Sequence, residues 1–184
     1  LTHQGTINSI LLGDNFKQLE QQRLSKLIKQ WLELESQRQP FEVVATEQKK
    51  TICFGELSIS LIMDRLDSVD GKTMVIDYKT GSVKANLWLG DRPKDPQLPL
   101  YILATNPQPM GCSFGCLKGN EQKFIGISKD LMIEGVTPSV DWDVQLQEWQ
   151  LATNNLAKEF VEGKAILENY NTAEFNYQAD LLPF

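Results

Sequence analysis

The segment SLIMDRLDSVDGKTMVIDYKTG, residues 60–81, carries Asp64, Asp77 and Lys79 on what read as two strands joined by a tight turn. Asp-Gly is favoured at the centre of a two-residue hairpin turn. With Asp70 and Gly71 in that place, residues whose numbers add to 141 face one another, and Asp64 and Asp77 do so. Directly opposed residues of antiparallel strands lie on one face with Cβ atoms roughly 5 Å apart, and Lys79 follows Asp77 on that face because strand side chains repeat every two positions. Two carboxylates that close repel unless something positive sits between them. A divalent cation held by carboxylate oxygens and water meets that need. An ammonium beside it would orient an attacking water or stabilise the negative charge that builds up in phosphoryl transfer. The competing reading is a solvated salt bridge of Asp64 with Arg65 or Lys79. Against it, Asp77 lies in the apolar run MVIDY, where an unpaired carboxylate is costly to bury.

The elements that must position these groups follow from periodicity. From Asp14, Leu24, Leu27, Ile28 and Trp31 take the i, i+3, i+4, i+7 spacing of an amphipathic helix that ends before Pro40. FEVVATEQ reads as a strand, the residues after Gly55 alternate as a second, and TMVIDYKTG returns as a third. Residues 82–96 are rich in turn formers, and QLPLYILAT is a short helix beginning near Gln97. MGCSFGCLK and QKFIGISK pair as strands about Gly119-Asn120. A second long helix with Leu146, Trp149, Leu156 and Phe160 on its apolar face stops near Gly163. The order helix, three strands, helix, two strands, helix predicts an α/β or α+β sandwich around a central mixed β-sheet flanked by helices.

At 184 residues the chain fits one domain with a core that needs no staple. It opens on Leu and closes on LLPF, and is read as residues 1–184 of a single domain, the C-terminal fragment of a larger protein. Cys53, Cys112 and Cys116 have no framework or zinc-site spacing and are read as reduced thiols in a cytoplasmic protein. No apolar run approaches a membrane span. A net charge of −6 argues against whole-surface attraction to nucleic acid, while leaving room for a local basic groove.

Taken as an ordered set, SLIMDRLD, VIDYKTG and PQLPLY resemble the nuclease domain of the RecB family within the PD-(D/E)XK superfamily, most of all the C-terminal nuclease domain of AddB-like bacterial DNA-repair proteins. The likeness runs from about Gly5 to Phe184. It implies a restriction-endonuclease-like core, with Mg²⁺ or Mn²⁺ held by Asp64, Asp77 and the backbone carbonyl of Tyr78, and Lys79 assisting the water nucleophile. It also implies that Gln97 and Tyr101, four apart on one helical face, match the family's Gln-x-x-x-Tyr element, closing over the site and contacting DNA. Glu47 is a further candidate ligand, with Glu20, Glu35 and Glu56 as rivals. Arg65 and Arg92, with Lys84 and Lys94, flank the site as candidate phosphate contacts, and Trp88 is read as a buried anchor of its loop rather than a base-stacking residue.

Two departures from the family pattern stand out. The histidine many members carry after a Gly in the first helix is replaced by Asn8 or Ser9, the only histidine being His3. No cysteine stands in the tail EFNYQADLLPF, so no iron–sulfur cluster is expected. The sequence therefore reads as a metal-dependent, exonuclease-type DNA nuclease of repair and recombination, with DNA and further domains of the same chain or a helicase-like protein as partners. The alternative is a catalytically weakened nuclease fold that binds DNA or serves as a scaffold in a repair complex. A small-molecule hydrolase would call for a closed apolar pocket.

Overall fold

The structure, a computed structural model, describes residues 3–84, 86–119 and 121–164, with side chains from residue 14 onward. A six-stranded mixed sheet in chain order is built from β1 (Glu42–Phe54), β2 (Leu57–Val69), β3 (Lys72–Lys79), β4 (Gly111–Lys118), β5 (Glu121–Ser128) and β6 (Val136–Pro138). Neighbours are antiparallel except β3 with β4 and β5 with β6. Helix α1 (His3–Ser36) covers one face, while α2 (Gln97–Ala104), which lies in the β3–β4 crossover, and α3 (Trp142–Val161) cover the other.

The turn chemistry sets the register as expected. β2 and β3 pair from Arg65–Ile76 to Val69–Lys72, and Asp70 and Gly71 take φ of 50° and 76°. Positive φ at both central residues gives the turn whose twist suits a two-residue hairpin. β1 is longer than FEVVATEQ because the polar stretch that follows continues the ladder as far as Phe54–Leu57. β6 has only three residues, too few for a two-residue period to register.

Both helix stripes are narrower than their periodicity implies. Among the described side chains of α1 the row Leu27, Trp31 and Glu35 is buried, while Leu24 and Ile28 stay exposed. α1 touches the sheet chiefly along β5, so one row of side chains makes the contact. On α3 the buried row is Trp142, Gln145, Trp149, Ala152, Thr153 and Ala157, and Phe160 is exposed. Asp141 caps α3 by accepting from the amides of Asp143 and Val144 at 3.1 Å. Trp149 donates Nε1–H to the carbonyl of Trp88, which is itself buried and fixes the 82–96 loop against Phe114. Cys112 and Cys116 are buried free thiols of β4, and burial raises both.

Two glycines separate the conformational from the steric role. Gly71 needs its positive φ but a Cβ there would meet nothing within 4 Å, whereas a Cβ on Gly126 would come within 2.1 Å of the Cys112 carbonyl on β4. Gly71→Ala is expected to cost about 1 kcal/mol and Gly126→Ala about 3 kcal/mol. Urea unfolding of the two variants checks the ranking, and equal losses would contradict it.

Candidate active site

β2 and β3 part company at the residues that matter. Their ladder stops at Arg65–Ile76; beyond it β2 goes on pairing with β1, and β3 with β4. Asp64 stands just past that last pair, and instead of a strand partner its Oδ2 accepts the backbone N–H of Tyr78 at 2.9 Å. Met63 and Leu66 both enter the same core cluster, so the two-residue alternation of β2 breaks between them. Across from this break, on β1, Glu47 takes a φ of 48°. The carboxylates of Asp64 and Asp77 thus meet in the fork between two diverging strands.

Asp77 is 2% exposed. Its Oδ1 accepts from Gln97 Nε2 at 2.8 Å. Its Oδ2 lies 2.8 Å from Lys79 Nζ, an ion pair off hydrogen-bond geometry, so among the described residues this buried oxygen has no hydrogen-bond donor. Lys79 donates to Gln97 Oε1 at 2.5 Å, and its ammonium sits 5.1 Å from the centre of the Phe114 ring. Gln97 also donates to Tyr101 Oη at 2.7 Å, and Tyr101 donates to the carbonyl of Ile62 at 2.7 Å. The Gln97 amide therefore ties α2 to β3, and the Tyr101 hydroxyl ties it to β2. Gln97 can do this because it is the first residue of α2, where its own N–H is donated to Asp95 Oδ1 at 3.2 Å.

The structure brings Asp64, Asp77, Lys79, Gln97 and Tyr101 together, with the Tyr78 peptide between the two aspartates and the lysine. It does not bring in the others. Glu47 is exposed on β1. Arg65, expected near DNA, points to the α1 face and bonds Asp67, Glu35 and Tyr78 Oη, because strand alternation puts it opposite its neighbour Asp64. Arg92 donates to Glu159 Oε2 of α3 at 2.6 Å. Glu35 belongs to the Arg65 cluster, and Glu20 pairs with Arg23. Glu56 is exposed in the β1–β2 turn, and Lys84 in the 82–96 loop. The side chains of His3, Asn8 and Ser9, and the tail EFNYQADLLPF, lie outside the described residues. Asp95 was missed by sequence reasoning, although an Asp two residues before a helix start is a local signal for a side chain that bonds the first-turn amides.

The sequence matches the family model of the PD-(D/E)XK nuclease superfamily over residues 4–172. The chain belongs to that superfamily. Its members are generally nucleases and typically use divalent metals. No curated protein matches it. Among solved structures, one titled "Crystal structure of SSO0001" is similar at a TM-score of 0.34 and 16% identity, over 76% of this chain and 66% of that one, so this chain spans just under two thirds of it.

The donor set suits such a metal. Carboxylate and carbonyl oxygens are the hard ligands Mg²⁺ and Mn²⁺ prefer, and Asp77 Oδ2 is a buried anionic oxygen without a hydrogen-bond donor. Among the described residues no three His, Cys, Asp or Glu side chains form a ligand group, so a bound ion would complete its shell with the Tyr78 carbonyl, water or substrate oxygens.

Burial raises the Asp77 carboxyl above its ordinary 3.8; Lys79 pulls it back only in part, and the carboxylates of Asp64 and Asp95 push it further up. Burial likewise raises the Tyr101 hydroxyl, with Asp77 and Asp64 adding to the shift. A carboxyl raised in the folded state binds its proton more tightly there than in the unfolded chain. Its ionisation therefore costs stability above the folded value and nothing below 3.8. Asp77→Asn is accordingly expected to be more stable than the wild type at pH 7, with the advantage shrinking as the pH falls towards 3.8. Urea midpoints measured across that range check the sign, and a less stable variant at pH 7 would put the Lys79 ion pair ahead of burial.

Proposed function

We propose that this domain is a metal-dependent DNA nuclease of the RecB type, most like the nuclease domain of AddB-like repair proteins, and that it hydrolyses phosphodiester bonds in DNA repair and recombination. The observation that carries the reading is the pair of carboxylates in the fork, with an ammonium and a glutamine amide fastened to the buried one. Asp64, Asp77 and the Tyr78 carbonyl would hold Mg²⁺ or Mn²⁺. When bound, the ion supplies positive charge to the phosphoryl oxygens and makes a water more acidic.

The chain's own residues do the remainder. Lys79, whose ammonium has three donors and uses one on Gln97, is free to turn a donor towards an attacking water or the equatorial oxygens of the phosphate. Its ammonium also faces the Phe114 ring, which limits where it can swing. Gln97 sets the directions of both Asp77 and Lys79, so the carboxylate and the ammonium act as one preorganised group. Tyr101, buried and bonded to the Ile62 carbonyl, keeps α2 against β2.

A scaffolding role in a repair complex is the second reading, favoured by the net charge of −6 and the absence of a third carboxylate ligand among the described residues. An enzyme of small molecules is disfavoured. The apolar cavity of about 310 Å³ beside Pro96 and Leu100 is lined with no charged side chain and none of the five clustered residues.

Labelled single- and double-stranded DNA incubated with Mg²⁺, Mn²⁺ or chelator tests the proposal. Cleavage is expected only with metal, and Asp77→Ala and Lys79→Ala are each expected to lose about 100-fold or more in rate. A folded chain that binds DNA without cutting it would favour the scaffold.

A further inference from the structure

On the α1 face, directly behind the fork, lies a second polar cluster. Arg65 holds Asp67 with Nε and Nη2 at 2.6 and 2.8 Å, and Glu35 and the Tyr78 hydroxyl with Nη1 at 2.9 and 2.8 Å. Arg38 closes the ring of charges, donating to Glu35 at 2.7 Å and Asp67 at 2.8 Å while stacked 4.0 Å from the Phe41 ring centre. Asp67 is fully buried and Arg38 is 4% exposed. Two guanidinium groups against two carboxylates leave no net charge, so the cluster is electrostatically self-contained and offers nothing to a phosphate. An ion cluster this deep gains little over an apolar core, and its use is better sought in the geometry it enforces.

That geometry concerns the fork. Arg65 follows Asp64 in β2, and Tyr78 stands between Asp77 and Lys79 in β3. Tyr78 is gripped at both ends: its N–H by Asp64 Oδ2, and its hydroxyl by Arg65. Asp64, Arg65 and Tyr78 thereby form a closed loop of two hydrogen bonds and one peptide link across the point where the strands diverge. The Tyr78 ring has no slack. Trp31 meets it edge-on at 5.6 Å, and its partner on β4 is Gly115, where a Cβ would lie 2.9 Å from both rings.

We propose that Arg65 and Tyr78 are positioning residues, whose bond on the α1 face holds the Tyr78 peptide against Asp64 and so sets the Asp64 carboxylate beside Asp77 on the other. The inference rests on the nuclease reading for its catalytic consequence only. Arg65 is then neither a DNA contact nor a catalytic residue.

Tyr78→Phe removes the hydroxyl and keeps the ring in its socket, so the fold should survive. Hydrogen exchange of the residue 78 amide is expected to quicken about tenfold, while amides of the Leu66–Val75 pair do not change. Mn²⁺ affinity by calorimetry, and kcat on DNA, are each expected to fall about tenfold with KM for DNA unaltered, the range seen when a group that orients a ligand is lost. An unaltered amide, or an unaltered Mn²⁺ affinity against a wild type that binds the ion, overturns the proposal. So does a raised KM with kcat intact, which would make the pair a DNA contact. If the wild type neither binds Mn²⁺ nor cuts DNA, the nuclease reading fails, and the amide comparison alone decides whether the bond positions Asp64.

Discussion

Holding two like charges together inside a folded chain is unfavourable, and the arrangement around Asp64 and Asp77 answers that one constraint. Asp64 spends an oxygen on the backbone amide of Tyr78. Asp77, buried and raised, has an ammonium on one oxygen and an amide on the other. Neither strand alone could supply these partners. The Tyr78 amide is available because β2 and β3 diverge there, and the Gln97 amide because α2 starts there.

Sheet alternation then gives the two faces opposite tasks. Towards α2 and α3 the polar groups are left with an excess of negative charge, which leaves a place for a cation. Towards α1 the charges cancel, and the aromatic rings of Trp31, Phe41 and Phe124 enclose them. Adjacent residues serve both: Asp64 and Arg65 on β2, Asp77 and Tyr78 on β3. A fold that packs a neutral ion cluster behind a charged one keeps the backbone of the fork from relaxing when the charge in front changes.

Much of this was legible because it rests on local rules. Asp70-Gly71 specifies its turn, and the turn specifies the register as far as Arg65–Ile76. The expected direct pairing of Asp64 with Asp77 does not form, because the ladder ends one residue short of it and Asp64 accepts the Tyr78 amide instead. Gln97 and Tyr101 were legible as a pair through the resemblance to the Gln-x-x-x-Tyr element, their spacing of four being consistent with one helical face. Contacts between residues distant in sequence were not. Arg65 looks like a free cation until α1 is docked and Glu35, thirty residues away, takes it up. Arg92 is engaged by Glu159 in the same manner. The apolar stripes of α1 and α3 predict helices but not which row meets the sheet, since that depends on where the helix crosses it. Periodicity has no purchase on a three-residue strand such as β6.

The central claim is that the fork is a cation site made by its two carboxylates. Crystals of the chain soaked in Mn²⁺ and measured for anomalous scattering test it most directly. The account predicts a single strong peak, or a close pair, between Asp64 and Asp77 with the Tyr78 carbonyl in the shell. It also predicts that the peak is lost in Asp77→Asn crystals grown alike. Well-ordered carboxylates with no peak between them, or manganese bound only elsewhere on the surface, would contradict it.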